Sequence, residues 1–593
     1  MKTFVDKVLA QADYQPARLL EILRAVQAEF RHIPQPVIEL IAAGLQIPRT
    51  QIIAVAEFYS FLHLEPQGRY ELYIADSITD RMLGNQQVLE ALAARLQVAV
   101  GGVRGDGLVS LNRTACTGMC DQGPAGLVNG YPLPRLTPAK IDALADLIEQ
   151  QVPLNAWPAE MFRVEEPIYR PDLLLNQAFV NGAAIQASFA RGLTETLAEL
   201  DVSHLRGRGG AGFKTALKWR SCSQQAATPR YVICNADEGE PGTFKDRMLL
   251  DLYADQVFEG MTVCAAIIGS SHGLVYLRAE YLFLRDKLLA VLRARREQGL
   301  LGQAILGRDG FDFDIEIRMG AGAYICGEAS AQIESLEGKP GIPRTKPPNS
   351  VVCGYQRKPT VVDNVETFFA ATHIAIQGGQ WFAAVGTEQS TGTKLLSISG
   401  DCLRPGIYEY PFGTSVRTIL QDCGAEEVMG VQVGGPSGTF ISNRELDRVV
   451  AFEDLSTAGS FIVFNRSRNL FAIAQNFTDF FAHESCGFCT PCRVGTSLLK
   501  NQLAKIADGL GAAEDLAELS ALCEVVKNNS HCGLGESAAN PILTTLLSYP
   551  ELYLQQLQYR EFAPAFDLDA TLAAARRLAQ REDPAAHLNQ VEN

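Results

Sequence analysis

Nowhere in the 593 residues does an uninterrupted apolar run approach the ~18 residues that a membrane-spanning helix needs. The N-terminus, Met1-Lys2-Thr3-Phe4-Val5-Asp6, lacks an apolar signal core. Export is therefore not expected, and a cytoplasmic location is. Basic residues are not in excess. There are 52 Lys and Arg against 67 Asp and Glu, giving a net charge of −15, which argues against a nucleic-acid partner. The 14 cysteines are scattered and mostly without regular spacing. That excludes a disulfide framework and fits reduced thiols with a few ligands among them. No internal repeat or low-complexity stretch occurs. Composition is otherwise that of a globular protein, with 47% hydrophobic and 20% charged residues. The length demands three or more domains.

Residues 1–65 carry apolar residues at helical spacing (Leu19, Leu20, Ile22, Leu23, Val26, Phe30) and predict a small helical bundle. From 66 to 150 a compact α/β unit is expected. It has strands at Tyr70–Ala75, near Leu108–Leu111 and at Ala125–Val128, and a helix near Gln86–Leu96. The stretch 151–168, with Val152-Pro153-Leu154-Asn155-Ala156-Trp157-Pro158, reads as a linker. A Gly-rich α/β domain follows over 169–390, with strands at Tyr231–Cys234, Gly273–Leu277 and Phe313–Arg318. A smaller α/β insert of ubiquitin-like size spans 391–465. Residues 466–560 are mostly helical, and 561–593 form an exposed helix or tail.

The most informative segment is Glu484-Ser485-Cys486-Gly487-Phe488-Cys489-Thr490-Pro491-Cys492, with Cys532 forty residues further on. Three thiolates at C-x2-C-x2-C spacing can reach three corners of an iron–sulfur cube, and a remote fourth closes the site. Zinc is the main rival, since it also takes four thiolates, but it more often uses two C-x2-C knuckles.

Three further segments carry chemistry. Arg206-Gly207-Arg208-Gly209-Gly210-Ala211-Gly212-Phe213 contains G-x-G-x-x-G, yet the preceding Asp201-Val202-Ser203-His204-Leu205 is polar and broken. An ordinary Rossmann loop needs a buried strand there, so a different anion-binding loop is the better reading. Arg206, Arg208, Lys214 and Lys218 add positive charge. Next, the apolar strand from Tyr231 delivers Asn235-Ala236-Asp237-Glu238-Gly239-Glu240 into a Gly/Pro turn. Its acids either form a solvated loop or accept hydrogen bonds from hydroxyls and a flavin ring. Third, Gly320-Ala321-Gly322-Ala323-Tyr324-Ile325-Cys326-Gly327-Glu328 permits close approach to a flat ligand, with Tyr324 over one face. Cys326 has no placed histidine beside it and reads as a packed small side chain.

Together with the cysteines, these segments resemble the large flavoprotein subunit of NADH dehydrogenases (complex I) and its relatives in soluble NAD-linked hydrogenases and formate dehydrogenases. Ser335-Leu336-Glu337-Gly338, Lys346-Pro347-Pro348 and Asn364-Val365-Glu366-Thr367 extend the likeness over about 170–560. The resemblance implies a multidomain α/β fold. Its parts would be a thioredoxin-like N-terminal domain, a Rossmann-like FMN/NAD domain, a ubiquitin-like β-grasp insert and a C-terminal helical bundle with a [4Fe–4S] cluster. By matching position it puts FMN contacts on Gly207, Gly209, Gly210, Lys218, Asn235, Asp237, Glu238, Tyr324, Gly327, Glu328 and Asn364. NAD(H) contacts fall on Phe213, Glu240 and Lys346, with Glu328 shared. The cluster ligands would be Cys486, Cys489, Cys492 and Cys532. Flavin would exchange hydride with NAD(H) and pass electrons singly to the cluster, so no side chain need act as general acid or base. Departures occur on the dinucleotide side. Ala329 stands where a second acid is common, and Ser221 and Asn349 replace aromatic residues.

Residues 1–150 resemble the small thioredoxin-like subunit that accompanies this flavoprotein and holds a [2Fe–2S] cluster on C-x4-C and C-x3-C pairs. Cys116 and Cys120 match the second pair, but Ala75 and Asp80 stand at the first. Absence of that cluster is therefore expected. Fusion of the two subunits, with no C-terminal ferredoxin module, is typical of the flavin subunit of cytosolic NAD-reducing [NiFe] hydrogenases. This implies an iron–sulfur diaphorase partner and hydrogenase small and large subunits. The alternatives are the NADH-oxidising subunit of an NAD-dependent formate dehydrogenase or respiratory NADH dehydrogenase, and an assembly scaffold that has lost electron transfer.

Overall fold

The computed structural model describes residues 1–557 and 568–581. Of the tail expected at 561–593 only 568–581 is described, and it contains the helix Leu568–Ala579; the rest lies outside the described residues.

A four-stranded parallel sheet organises the middle of the chain. Its strands run Thr360–Asn364, Tyr231–Ala236, His272–Leu277 and Asp314–Met319 in spatial order. Both faces are covered, so the strands read as continuous apolar runs. Alternation sorts them. Val232 and Cys234 join one core with the helices Ala254–Ile268 and Val365–Gln377. Tyr231 and Ile233 face the other way, into a core with Val5, Leu23, Ile41 and Val55. The N-terminal helices Lys2–Gln11, Leu19–Phe30, Gln35–Leu45 and Arg49–Phe58 thus pack on the sheet of the central domain. The same core continues to Leu499, Leu503 and Leu519 of the C-terminal helices.

The N-terminal α/β unit is a five-stranded mixed sheet. Tyr70–Ala75 lies parallel to Val109–Thr114 and antiparallel to Gly126–Val128. The insert has the β-grasp arrangement. Thr393–Gly400 pairs antiparallel with Gly406–Pro411 and parallel with Ser460–Asn465, and the helix Val416–Cys423 crosses between. One detail corrects the linker reading. Ile168–Arg170, at the end of the supposed linker, is a strand on the edge of this sheet, beside Gly406–Pro411. Among the described residues no single helix is long and apolar enough to cross a membrane.

Candidate functional site

Parallel strands end together, and their carboxyl ends leave a crevice suited to ligands. Here Asn235 and Asn364 are register partners at that edge. Asn235 Nδ2 donates to Gly327 O (2.8 Å), and its Oδ1 accepts from Asp237 N (3.1 Å). Asn364 Nδ2 donates to Asp246 (2.7 Å). Above this edge opens a cavity of about 630 Å3. Of the residues expected to contact FMN, it brings together Gly209, Gly210, Asn235, Asp237, Glu238, Tyr324, Gly327, Glu328 and Asn364, and it also takes in Glu240.

The glycine loop is a tight hairpin bridged from Arg206 to Lys214. It follows the helix Leu193–Val202 and precedes the helix Thr215–Ser223. No strand leads into it, so it is not a Rossmann turn. Gly210 has φ +116°, which a side chain would strain, and the loop backbone forms a bare cavity wall there. Gly207 supports the turn by donating its N–H to Phe213 O (2.8 Å).

The acids differ in what they offer. Asp237 has a buried Oδ2 with no partner. Burial drives its carboxyl well above the usual range. A buried carboxyl with a free oxygen, beside a side-chain-free glycine wall, fits the polar edge of a flat heterocycle. Glu238 is already engaged. It accepts from Asp246 N (2.8 Å), Arg247 N (3.1 Å) and Tyr281 Oη (2.8 Å), anchoring the start of the helix Lys245–Leu252. Glu240 accepts from Ser437 N (2.8 Å) and from the Tyr324 hydroxyl, and burial pushes it up to about 7. Tyr324 packs edge-on against Phe480 at 5.0 Å. Burial raises Glu328, but bonds from Lys346 (2.6 Å) and Ser330 outweigh it and leave the carboxyl below the usual range.

Lys218 is not on this cavity. Its Nζ is held by Asp363 Oδ1 (2.5 Å) and Val362 O (2.8 Å). With Phe213 and Lys346 it lines an adjacent pocket of about 330 Å3. The three departures from the family pattern, Ser221, Ala329 and Asn349, all line that same pocket. The Glu328–Lys346 ion pair spans the boundary between the two spaces.

Sequence reasoning missed much of the far wall, which includes Lys245, Gly434, Ser437, Thr457, Gly533 and Ser537. The turn Gly434-Gly435-Pro436-Ser437-Gly438 was a usable signal, because a glycine cluster between two strands marks close backbone approach.

Cys486, Cys489, Cys492 and Cys532 line one small pocket with Ile325, Pro343, His531 and Leu534. Cys489 precedes the helix Thr490–Ala507, and Cys532 precedes the helix Gly533–Ser537. Burial raises the Cys486 thiol and pushes Cys492 and Cys532 up to about 11, so loading iron must release protons. Among the described residues no three His, Cys, Asp or Glu converge closely enough for a single ion. Ile325 and Leu534 line both this pocket and the large cavity, so the two sites share a wall. Cys326 is a packed core residue, 1% exposed, pushed up to about 12 by burial.

In the N-terminal unit Cys116 and Cys120 are buried with their sulfurs 3.5 Å apart. Ala75 has no ligand atom. Asp80 is committed, accepting from Ser77 Oγ (2.6 Å) and Ala125 N (2.9 Å). These four positions do not fit a [2Fe–2S] cluster.

Three family models match the chain. They are the Nuo51 FMN-binding domain over residues 200–373, a thioredoxin-like [2Fe–2S] ferredoxin over 5–149, and the NADH-ubiquinone oxidoreductase-F iron–sulfur binding region over 472–556. The chain is 42% identical to the NAD-reducing hydrogenase HoxS subunit alpha of Cupriavidus necator, over 96% of this chain and 98% of that one. It is also 42% identical to the NADP-reducing hydrogenase subunit HndC of Solidesulfovibrio fructosivorans, over 61% of this chain and 77% of that one. A crystal structure of an NAD+-reducing [NiFe]-hydrogenase in the H2-reduced state superposes with TM-score 0.88 at 41% identity, covering 98% of this chain and 99% of that chain. With the cavity, the shared wall and likeness over nearly its whole length, this chain belongs to the family of NAD-reducing hydrogenase alpha subunits.

Proposed function

We propose that this chain is the diaphorase subunit of an NAD-reducing hydrogenase, exchanging hydride between NAD(H) and FMN and relaying single electrons through one [4Fe–4S] cluster. The observation that carries this reading is the wall of Ile325 and Leu534 shared by the large cavity and the four-thiol pocket. Bound flavin and cluster supply the hydride exchange and its conversion to single electrons. The chain binds, orients and excludes water. Gly209 and Gly210 give the bare wall, Asn235 and Asn364 fix the strand-end edge, and Asp237 presents its unpartnered carboxyl oxygen. Tyr324, braced by Glu240 and Phe480, covers one face. Gly327 lets the Asn235–Asp237 turn approach. Gly207 shapes the loop, and Glu238 secures the turn from behind. Phe213, Lys346 and Glu328 take the dinucleotide along the adjacent pocket, and Lys218 fixes the floor between the two through Asp363. No side chain acts as general acid or base.

The domain division belongs to this reading: 1–65, 66–150, 151–168, 169–390, 391–465, 466–560 and 561–593. So do a cytoplasmic location and the absence of a [2Fe–2S] cluster at Cys116 and Cys120. The partners are an iron–sulfur diaphorase subunit and hydrogenase small and large subunits. Purifying the native complex and measuring its metals tests the assignment. Nickel in near-stoichiometric amount with this chain is expected. Molybdenum or tungsten without nickel would move it to a formate dehydrogenase.

Glu240 gives a pH prediction. Below about pH 7 its carboxyl is neutral, and above it the anion faces a pyrophosphate-bearing substrate. KM for NADH should rise several-fold as pH climbs through 7, and Glu240→Gln should flatten the rise. An equal climb in the variant would remove Glu240 as its source.

A further inference from the structure

Two thiols survive in a site that no longer fits a cluster. The loop that carries them is held tightly. Arg278 donates to Cys116 O (2.6 Å), and Arg247 donates to Gly118 O (2.6 Å). Gly118 has φ +71°, and a Cβ there would lie 2.4 Å from the Tyr281 hydroxyl. Gly118 N–H points to Cys116 Sγ at 3.4 Å. The fold thus fixes two sulfurs in contact, with the turn between them locked.

We propose that Cys116 and Cys120 are a redox-active dithiol, closed to an intrachain disulfide by hydrogen peroxide. The proposal rests on the reading that no [2Fe–2S] cluster occupies this site. Cys116 lines a cavity of about 30 Å3 together with Arg278, Asp237, Gly239 and Tyr324. That leaves room for about two water-sized molecules, so a peroxide fits beside Cys116. Cys120 is not on this cavity, which divides the roles. The Cys116 sulfur attacks one peroxide oxygen, the O–O bond breaks, and a water leaves with a sulfenic acid on Cys116. The Cys120 sulfur then attacks the Cys116 sulfur, the S–O bond breaks, and a second water leaves. Two thiols and one peroxide become one disulfide and two waters, and sulfur supplies both electrons. The neighbouring Cys120 thiol, the Arg278 guanidinium and the Gly118 N–H favour the Cys116 thiolate that the first step needs.

The pair also touches the flavin side. Cys120 Sγ accepts the N–H of Gly242 at 3.2 Å. Gly242 lies two residues after Glu240 in the turn that walls the large cavity. Closing the disulfide draws Cys120 Sγ toward Cys116, from 3.5 Å to about 2.05 Å. Oxidation thereby alters the hydrogen bonding of the acidic turn.

The test titrates the full chain, purified with its cofactors, against hydrogen peroxide. Denaturation, alkylation and peptide mapping of each cysteine follow. Alkylation of Cys116 and Cys120 should be lost together and return with dithiothreitol. In Cys120→Ser, dimedone should trap a sulfenic acid on Cys116; in Cys116→Ser, Cys120 should stay reduced. Flavin retention checks that both variants fold. A pair still fully alkylated at several equivalents of peroxide, or a sulfenic acid arising first on Cys120, overturns the proposal. Iron content separates the underlying reading. About four iron atoms per chain support it, whereas about six would place a cluster on these cysteines and overturn both.

Discussion

Arg247→Met is expected to destabilise the chain by about 3–5 kcal/mol, the cost of breaking a buried ion pair from one side, and to loosen the N-terminal unit. Arg247 is fully buried on the helix Lys245–Leu252. It pairs with Asp121 (3.1 Å) from the thioredoxin-like unit and with Glu166 (2.8 Å) just before the strand at Ile168, and it donates to Gly118 O and Glu165 O. One guanidinium therefore joins three segments distant in sequence. Removing it leaves two carboxylates in a water-poor junction. Glu166 is already pushed up to about 7 by burial, against the lowering effect of Arg247. Without the cation it rises further. The folded variant then holds protons that the unfolded chain has released, so its stability falls as pH rises. The loss should be larger at pH 8 than at pH 6, and adding Asp121→Asn and Glu166→Gln should recover much of it. Thermal melts at the two pH values, with limited proteolysis between residues 151 and 168, are the measurements. A loss that ignores pH, or no release of the N-terminal unit, would show that the junction is held elsewhere.

This junction also shows where sequence reading stops. Strands were legible because parallel, doubly buried strands are short apolar runs: Tyr231–Cys234 was expected, and Tyr231–Ala236 is found. The cysteine triplet was legible because thiols that one loop brings to a single pocket keep their spacing in sequence. The glycine loop was legible as something other than a Rossmann turn, since Asp201–Leu205 could not be a buried strand. Arg247 was not legible, because nothing local marks a residue whose partners lie more than 80 positions away. Glu238 illustrates a subtler loss. Its place in an acidic cluster pointed to ligand contact, yet its oxygens are taken by backbone N–H groups and Tyr281. Lys218 likewise read as a charge for the anion loop but is bound to Asp363, nearly 150 residues on. The far cavity wall, from 434–438, 454–458 and 533–537, exists only once three domains meet. Long-range assembly has no periodicity to read. The N-terminal helices were seen as a bundle, but that they cover the flavin-side sheet follows only from the packing of Tyr231 and Ile233.

Cys532→Ser is expected to stop onward electron transfer while leaving the flavin step intact. The fourth thiol comes from a different helix start than the other three, so its loss opens one corner and leaves the Cys486–Cys492 loop in place. Cys532 does not line the large cavity, although its neighbours Gly533 and Leu534 do. Serine keeps nearly the same volume, so the shared wall should hold and FMN content should not change. Bleaching of the flavin by NADH in stopped flow should proceed at close to the normal rate. Transfer to the partner iron–sulfur subunit should fall at least ~100-fold, since even outer contacts of a metal site cost ~10–100-fold when removed. Iron per chain should drop below the about four atoms of an intact cube. The two half-reactions would thus be separated by one atom, as the common wall of Ile325 and Leu534 requires if electrons cross it. Onward transfer at the normal rate would show that electrons leave by another route. Loss of flavin together with iron would show instead that the four-thiol pocket is a structural prop for the cavity. In that case Leu534→Ala, which trims the wall and spares every thiol, should release flavin as well.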